Sequence, residues 1–236
     1  FERALKKHKV TACWLMPNFH NPTGASLSSA NRQKVIELAN QHQLAIVEDD
    51  VYSELYFGDD KPMPLKYWDQ EDRVLLCGSL SKSLCPGYRV GWVVNGQFNE
   101  RLQKLQLVST LSGSVPVQEG VAHFLQYESL DNHLRKLRKE LSARQQAFVE
   151  VVKRHFPQGT KVSQPQGGYF IWLELSKNVD TYLLYQTLQK RGITIAYGRL
   201  FSSREQFQNC IRLNASYPMT SELEQTVIEI ANAITD

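Results

Sequence analysis

The sequence has little that would mark a membrane, a metal site or a disulfide scaffold. It contains no run of about eighteen apolar residues, so no helix in it is expected to span a bilayer. Phe1-Glu2-Arg3-Ala4-Leu5-Lys6-Lys7 lacks the apolar core of a signal peptide and reads as the tail of a helix already under way, as though the chain began inside a larger protein. Cysteine is scarce: Cys13, Cys77, Cys85 and Cys210, with no pair at CxxC spacing. The expectation is reduced, buried thiols in a cytoplasmic protein. The six histidines are scattered, none beside a Cys or carboxylate at ligand spacing, so no metal is expected. One-signed charge is scarce as well. Lys plus Arg number 27 against 24 for Asp plus Glu, a net +3, which gives no reason to expect a nucleic-acid face on this chain. What is present is ordinary for a globular protein: 42% hydrophobic and 22% charged residues over 236 positions. That excludes a disordered or collagen-like chain and suffices for one large domain or two small ones.

The apolar run Thr11 to Met16, stopped by Pro17, reads as a buried strand. Ser28 or Ser29 then caps a helix carrying Val35, Ile36, Leu38 and Ala39 at helical spacing. Leu44 to Val47 and Val74 to Cys77 are two further buried strands, ending in Glu48-Asp49-Asp50 and Gly78-Ser79. Strands separated by helical stretches argue for a parallel sheet. Arg89 to Val94 follows too soon for a parallel crossover with its helix and is predicted to run antiparallel. Helices follow over 100–111 and 117–127. Leu130, Leu134, Leu137, Leu141, Phe148 and Val152 then mark one stripe of a long helix whose basic cluster, Arg135, Lys136, Arg138 and Lys139, faces solvent. Beyond Pro157 the pattern changes to an α+β unit. Its predicted strands are 169–173, 193–196 and 210–213, with a helix over 182–191 and a closing helix capped by Ser221. There is no internal repeat.

Polar groups stand just after the carboxyl ends of the three parallel strands, the edge at which open α/β sheets bind ligands. They are Asn21 in Asn21-Pro22-Thr23-Gly24, Asp49 with Tyr52 in Asp49-Asp50-Val51-Tyr52, and Lys82 in Ser79-Leu80-Ser81-Lys82. Singly each has a bland reading as a turn starter, a cap or a solvated amine. In this order they suit an aldehyde cofactor with a pyridine ring. Lys82 supplies the amine for a Schiff base. Asp49 supplies the carboxylate that keeps the ring nitrogen protonated. Asn21 and Tyr52 supply neutral donors for the ring oxygen. Ser79, Ser81 and Arg89 supply hydroxyls and a cation for a phosphate.

This set of motifs closely resembles the fold-type-I pyridoxal-phosphate aminotransferases of class I/II, over nearly the whole chain. The resemblance implies Lys82 as the cofactor-bonding lysine, Asp49 as the ring-nitrogen partner, Asn21 and Tyr52 at the ring oxygen, and Ser79, Ser81 and Arg89 at the phosphate. It also implies that Arg212, in Ile211-Arg212-Leu213-Asn214, clamps the substrate α-carboxylate, with Asn21 beside it. The stretches Glu48 to Gly58 and Ser81 to Trp92 resemble most closely the MocR group of GntR-type transcription regulators, in which an aminotransferase-like domain follows a winged helix-turn-helix.

The implied fold is α/β. Residues 1–128 form the C-terminal part of a cofactor-binding large domain, with a mostly parallel sheet and one antiparallel strand. Residues 129–236 form a long linking helix and a small α+β domain. The family's upstream phosphate loop and ring-stacking aromatic are not in the sequence. Weak cofactor retention by the chain as it stands is therefore expected, together with uncovered apolar faces on the Cys13 and Ile46 strands. The implied partners are an amino-acid or amine ligand and a second copy in a homodimer, with DNA reached only through an N-terminal domain. The reading that follows is a sensor domain that forms Schiff bases with amino compounds, with a free-standing aminotransferase of the kynurenine/aminoadipate type as the alternative; intact Lys82, Asp49 and Arg89 argue against a scaffold without cofactor.

Overall fold

A computed structural model describes residues 1–235. Strands β1 (Ala12–Leu15), β2 (Ala45–Asp49) and β3 (Val74–Ser79) pair in parallel, and β4 (Gly91–Val94) runs antiparallel to β3, in the order β1-β2-β3-β4. The eleven residues between β3 and β4 leave no room for a covering helix, and the reversal follows. Helix α1 (Glu2–Lys7) precedes β1, and α2 (Ser29–Gln41) follows it. The Asn31 N–H donates to Ser28 Oγ at 3.3 Å, so Ser28 is the cap of α2. Val35, Ile36, Leu38 and Ala39 of α2 pack with Leu5, Leu44, Ile46, Leu65 and Val74 into one core. The expectation of uncovered faces is corrected for one face of the Ile46 strand: Ile46 has no exposed surface, because it belongs to this core, while Val47 on the opposite face is half-buried. On β1, Trp14 stays 73% exposed.

Two charged residues, Arg32 and Glu48, are buried in this part of the chain. Glu48 has no exposed surface and accepts the Leu65 and Lys66 N–H groups at 2.6 and 2.9 Å, so it caps the short 3₁₀ turn Leu65–Trp68. Burial pushes its carboxyl up to about 7, against the pull of those two donors. A folded-state value above the unfolded 4.5 means that the folded protein binds more protons in between. The contribution of Glu48 to stability is therefore full below about 4.5 and is lost as pH rises through about 7. Glu48→Gln should abolish that dependence, and it should cost about 1–3 kcal/mol in the acid range, because an amide NH₂ then faces one of the two backbone donors. Denaturant melts of the two proteins at several pH values, compared pairwise, measure it; parallel stability curves would contradict it.

Helices α3 (Asn99–Thr110) and α4 (Val115–Tyr127) lead to α5 (Leu130–His155), whose Asn132 N–H donates to Ser129 Oγ at 3.1 Å. Leu134, Leu141, Phe148 and Val152 of its stripe are buried, Arg135, Lys136 and Lys139 are exposed, and Arg138 is half-buried. No described helix is long and apolar enough to cross a membrane. The chain forms two compact units. The first comprises Phe1–Asn18 and Ser26–Leu137, and the second comprises Phe19–Ala25 and the chain from Arg138 onward.

The second unit contains β5 (Lys161–Val162), β6 (Phe170–Glu174), β7 (Ala196–Tyr197) and β8 (Cys210–Asn214), all antiparallel in the order β5-β6-β8-β7, with α6 (Thr181–Gln189) and α7 (Ser221–Thr235). Ile171, Leu173, Ile211 and Leu213 point into a core closed by Phe148, Val152, Leu184, Leu188, Val227 and Ile230. An α/β unit with one antiparallel strand in its sheet and a separate α+β unit are the fold the sequence implied. Three details differ. The cap of α7 is Thr220, whose Oγ1 accepts the Leu223 N–H at 3.3 Å, and Ser221 is the first helical residue. The predicted strand over 193–196 shrinks to Ala196–Tyr197, because Ile193 N–H is already bonded to Leu188 O in the turn that ends α6. All four cysteines are free, but only Cys210 is buried.

Candidate active site

Asp49 is the last residue of β2 and sits opposite Cys77 of β3. Its Oδ1 is buried without a hydrogen-bond partner. Burial raises the carboxyl above the ordinary aspartate range, while the Val51 N–H, the Trp14 indole and the Lys82 cation pull the other way. The Lys82 ammonium lies 6.0 Å from the centroid of the Tyr52 ring, which is only 3% exposed. Asp49, Tyr52 and Lys82 thus form one cluster. Asp50 is turned elsewhere: Asn18 donates to it through Nδ2, and Asn18 Oδ1 in turn accepts from Arg32 Nη2 at 2.7 Å.

Ser79 ends β3, and the loop returns through Arg89, where Leu80 N–H meets Val90 O at 3.1 Å. Ser79 Oγ is 3.1 Å from Val90 O and 3.0 Å from Ser81 Oγ, and it accepts the Ser81 N–H at 3.1 Å. A carbonyl can only accept, so the Ser79 proton goes to Val90 O and the Ser81 hydroxyl donates to Ser79. Arg89 Nη1 donates to Ser81 Oγ at 3.3 Å. Two hydroxyls and a guanidinium are thereby wired in series on one loop. Arg89 holds the left-handed conformation, φ 55°, which is uncommon for a residue with a side chain. The loop is braced from α5, where His133 Nε2 meets Ser83 O at 2.9 Å.

Asn21 and Arg212 belong to the second unit. Arg212 Nη1 donates to Asn21 Oδ1 at 2.7 Å, although 191 positions separate the two residues in sequence. The Asn21-Pro22-Thr23-Gly24 turn is tight: Gly24 N–H bonds His20 O, and His20 Nδ1 meets Thr23 Oγ1 at 3.0 Å. Gly24 has φ 70°, and a Cβ there would lie 2.3 Å from Pro165 Cγ, so no larger residue fits. Beside Arg212 lies a cavity of about 400 Å³ lined by Tyr185, Tyr197 and Leu200.

The structure therefore clusters Asp49, Tyr52 and Lys82, links Ser79, Ser81 and Arg89 in one chain on the β3–β4 loop of the same unit, and pairs Asn21 with Arg212 in the second unit. Sequence reasoning missed the Trp14 indole on Asp49 and the Arg32–Asn18–Asp50 relay. The sequence did carry a signal for the relay, since Arg32 falls on the same helical stripe as Val35, Ile36 and Ala39.

Residues 1–230 match the sequence model of the aminotransferase class I and II family. The chain belongs to that family. Among class I and II relatives, an uncharacterized HTH-type transcriptional regulator, YdcR of Escherichia coli, is 41% identical over 99% of this chain and 50% of its own length. Aromatic-amino-acid aminotransferase 1 of Thermococcus litoralis is 30% identical over 96% of this chain and 54% of its own length. The kynurenine aminotransferase of Pyrococcus horikoshii, crystallised in complex with PMP, superimposes with a TM-score of 0.92 at 28% identity, covering 99% of this chain and 58% of that one. The chain is an aminotransferase-like domain with the resemblance to MocR-type regulators that its motifs carry, and it spans about half the length of the curated relatives it matches.

Proposed function

We propose that this domain binds pyridoxal phosphate and, through it, amino acids or amines, as the effector-sensing part of a MocR/GntR-type regulator. The observation that carries the reading is Asp49, which ends its strand with one buried carboxylate oxygen that lacks a donor, next to the charge of Lys82. A buried oxygen without a partner is costly, and a protonated pyridine nitrogen is the kind of donor that relieves it. The serine and arginine chain of the β3–β4 loop offers a phosphate the donors it needs. Lys82 would bond the cofactor's aldehyde carbon through Nζ, and Tyr52 and Asn21 would serve the ring oxygen. Asn21 and Arg212 would take the ligand's carboxylate. Bound pyridoxal phosphate supplies an electron sink for bonds at an amine's α-carbon.

The regulator reading is supported by the 41% identity to YdcR. In that reading, DNA is met through a separate N-terminal domain and the protein acts as a homodimer. The T. litoralis relative supports a second reading, a free-standing aminotransferase of an amino acid and a 2-oxo acid, in which the Lys82 amine also moves the substrate α-proton.

Titration of the complete gene product with pyridoxal phosphate tests the shared core of both readings. A visible absorbance band should form and shift when an amino acid is added; no band would overturn the proposal. Arg212→Leu should leave the band intact and raise the amino-acid concentration needed for the shift about ten- to hundred-fold, the worth of a charge-assisted, bidentate pair. An unchanged concentration would make Arg212 purely structural. Catalytic release of 2-oxo acid separates enzyme from sensor.

A further inference from the structure

The register of the second sheet sets Arg212 directly opposite Trp172, with Phe170 two residues along β6. Alternation then puts Phe170, Trp172 and Arg212 on one face, while Ile171, Leu173, Ile211 and Leu213 fill the core on the other. The guanidinium carbon of Arg212 lies 4.2 Å from the centroid of the Phe170 ring and 5.2 Å from that of Phe201. Phe201 closes the 3₁₀ turn Gly198–Phe201, and Trp172 meets it edge-on at 5.8 Å. The turn begins at Gly198, where only glycine fits, because a Cβ there would fall 1.9 Å from Phe207 O.

We propose that Phe170 and Phe201 are positioning residues for Arg212 and that carboxylate recognition in this domain depends on them. The inference rests on the reading of Arg212 as the ligand-carboxylate group. An arginine side chain has many rotamers, and a carboxylate is gripped in parallel only when the guanidinium plane is set beforehand. An acidic neighbour would set it but would also spend its N–H donors and its charge. Aromatic faces attract the cation through the ring quadrupole and use none of the donors. Two rings together with the 2.7 Å bond to Asn21 Oδ1 hold the guanidinium at three points. The arrangement favours ligands that bring a planar carboxylate, amino acids above simple amines.

The experiment compares L-phenylalanine with phenethylamine, which differ only in the carboxylate, on the complete gene product supplied with pyridoxal phosphate. Affinity is read from the shift of the visible band and, independently, from the ligand-induced rise in melting temperature. Phe170→Leu and Phe201→Leu should each weaken L-phenylalanine about two- to five-fold, the range of a cation–π contact, and leave phenethylamine unchanged. Phe201→Tyr, which keeps a ring face, should retain wild-type affinity. If both ligands weaken together, or neither does, the two phenylalanines are packing residues and the proposal is overturned. Arg212→Leu is the control. Loss of the preference for the amino acid in that variant, with none in the phenylalanine variants, overturns this inference alone. A preference that survives Arg212→Leu overturns the carboxylate reading as well.

Discussion

Lys82→Ala is expected to abolish covalent attachment of pyridoxal phosphate to the protein. Borohydride reduction of the wild type should fix the cofactor on the peptide that contains Lys82, and the variant should show only background labelling. The expectation is as large as this because a Schiff base needs a primary amine at one place, and no neighbouring donor substitutes for it. The surroundings single out this lysine. It is half-buried beside the Tyr52 ring, and its charge is felt by the Asp49 carboxyl. Label found on another lysine would remove Lys82 from the site. Retained label in the variant would remove the whole cluster.

Asp49→Asn should have effects of opposite sign on function and on stability. The amide is nearly isosteric and keeps one oxygen for the Val51 and Trp14 donors, but it no longer brings a negative charge to a protonated ring nitrogen. Cofactor affinity should fall about ten- to hundred-fold, and any transamination should fall with it, because the electron sink depends on that proton. Without cofactor the variant should be as stable as the wild type or more so, by up to about 1 kcal/mol, since it replaces a buried and incompletely bonded carboxylate. Cofactor titration and thermal melts on the two proteins decide it. Unchanged affinity for pyridoxal phosphate would assign Asp49 to the fold and not to the site.

Much of this was legible in the sequence, for identifiable reasons. The parallel strands were visible because each is written as a short apolar run closed by polar or turn residues, and the reversal of β4 because a short connection admits no crossover. Asp49, Tyr52, Ser79, Ser81 and Lys82 could be singled out as candidates because they stand at or just beyond strand ends, the edge at which open sheets bind ligands. What could not be read depends on partners distant along the chain. Glu48 sits in the same acidic triplet as Asp49 and Asp50, and only tertiary structure shows that its two oxygens serve Leu65 and Lys66. The rings around Arg212 come from β6 and from the turn after β7, and no local pattern links them. The cap at Thr220 was misplaced by one residue because Thr220 and Ser221 are chemically equivalent until backbone geometry chooses between them.

Arg32 binds more than the relay to Asp50. Its guanidinium also donates to Leu27 O at 3.0 Å, to Met63 O at 2.9 Å and to Pro17 O at 3.3 Å, and Leu27 N–H bonds Pro17 O at 2.9 Å. Pro17 and Leu27 are the points at which the chain leaves for, and returns from, the segment that carries Asn21. One buried side chain therefore fastens the neck of that segment on both sides. With its ends tied, the segment is anchored independently of what it packs against: changes at its half-buried positions, though not at Gly24, need not propagate into β1 or α2. On the reading of Asn21 as a ligand group, preference would then be altered in this segment while Asp49 at the end of β2 and Lys82 in the loop after β3 stay as they are.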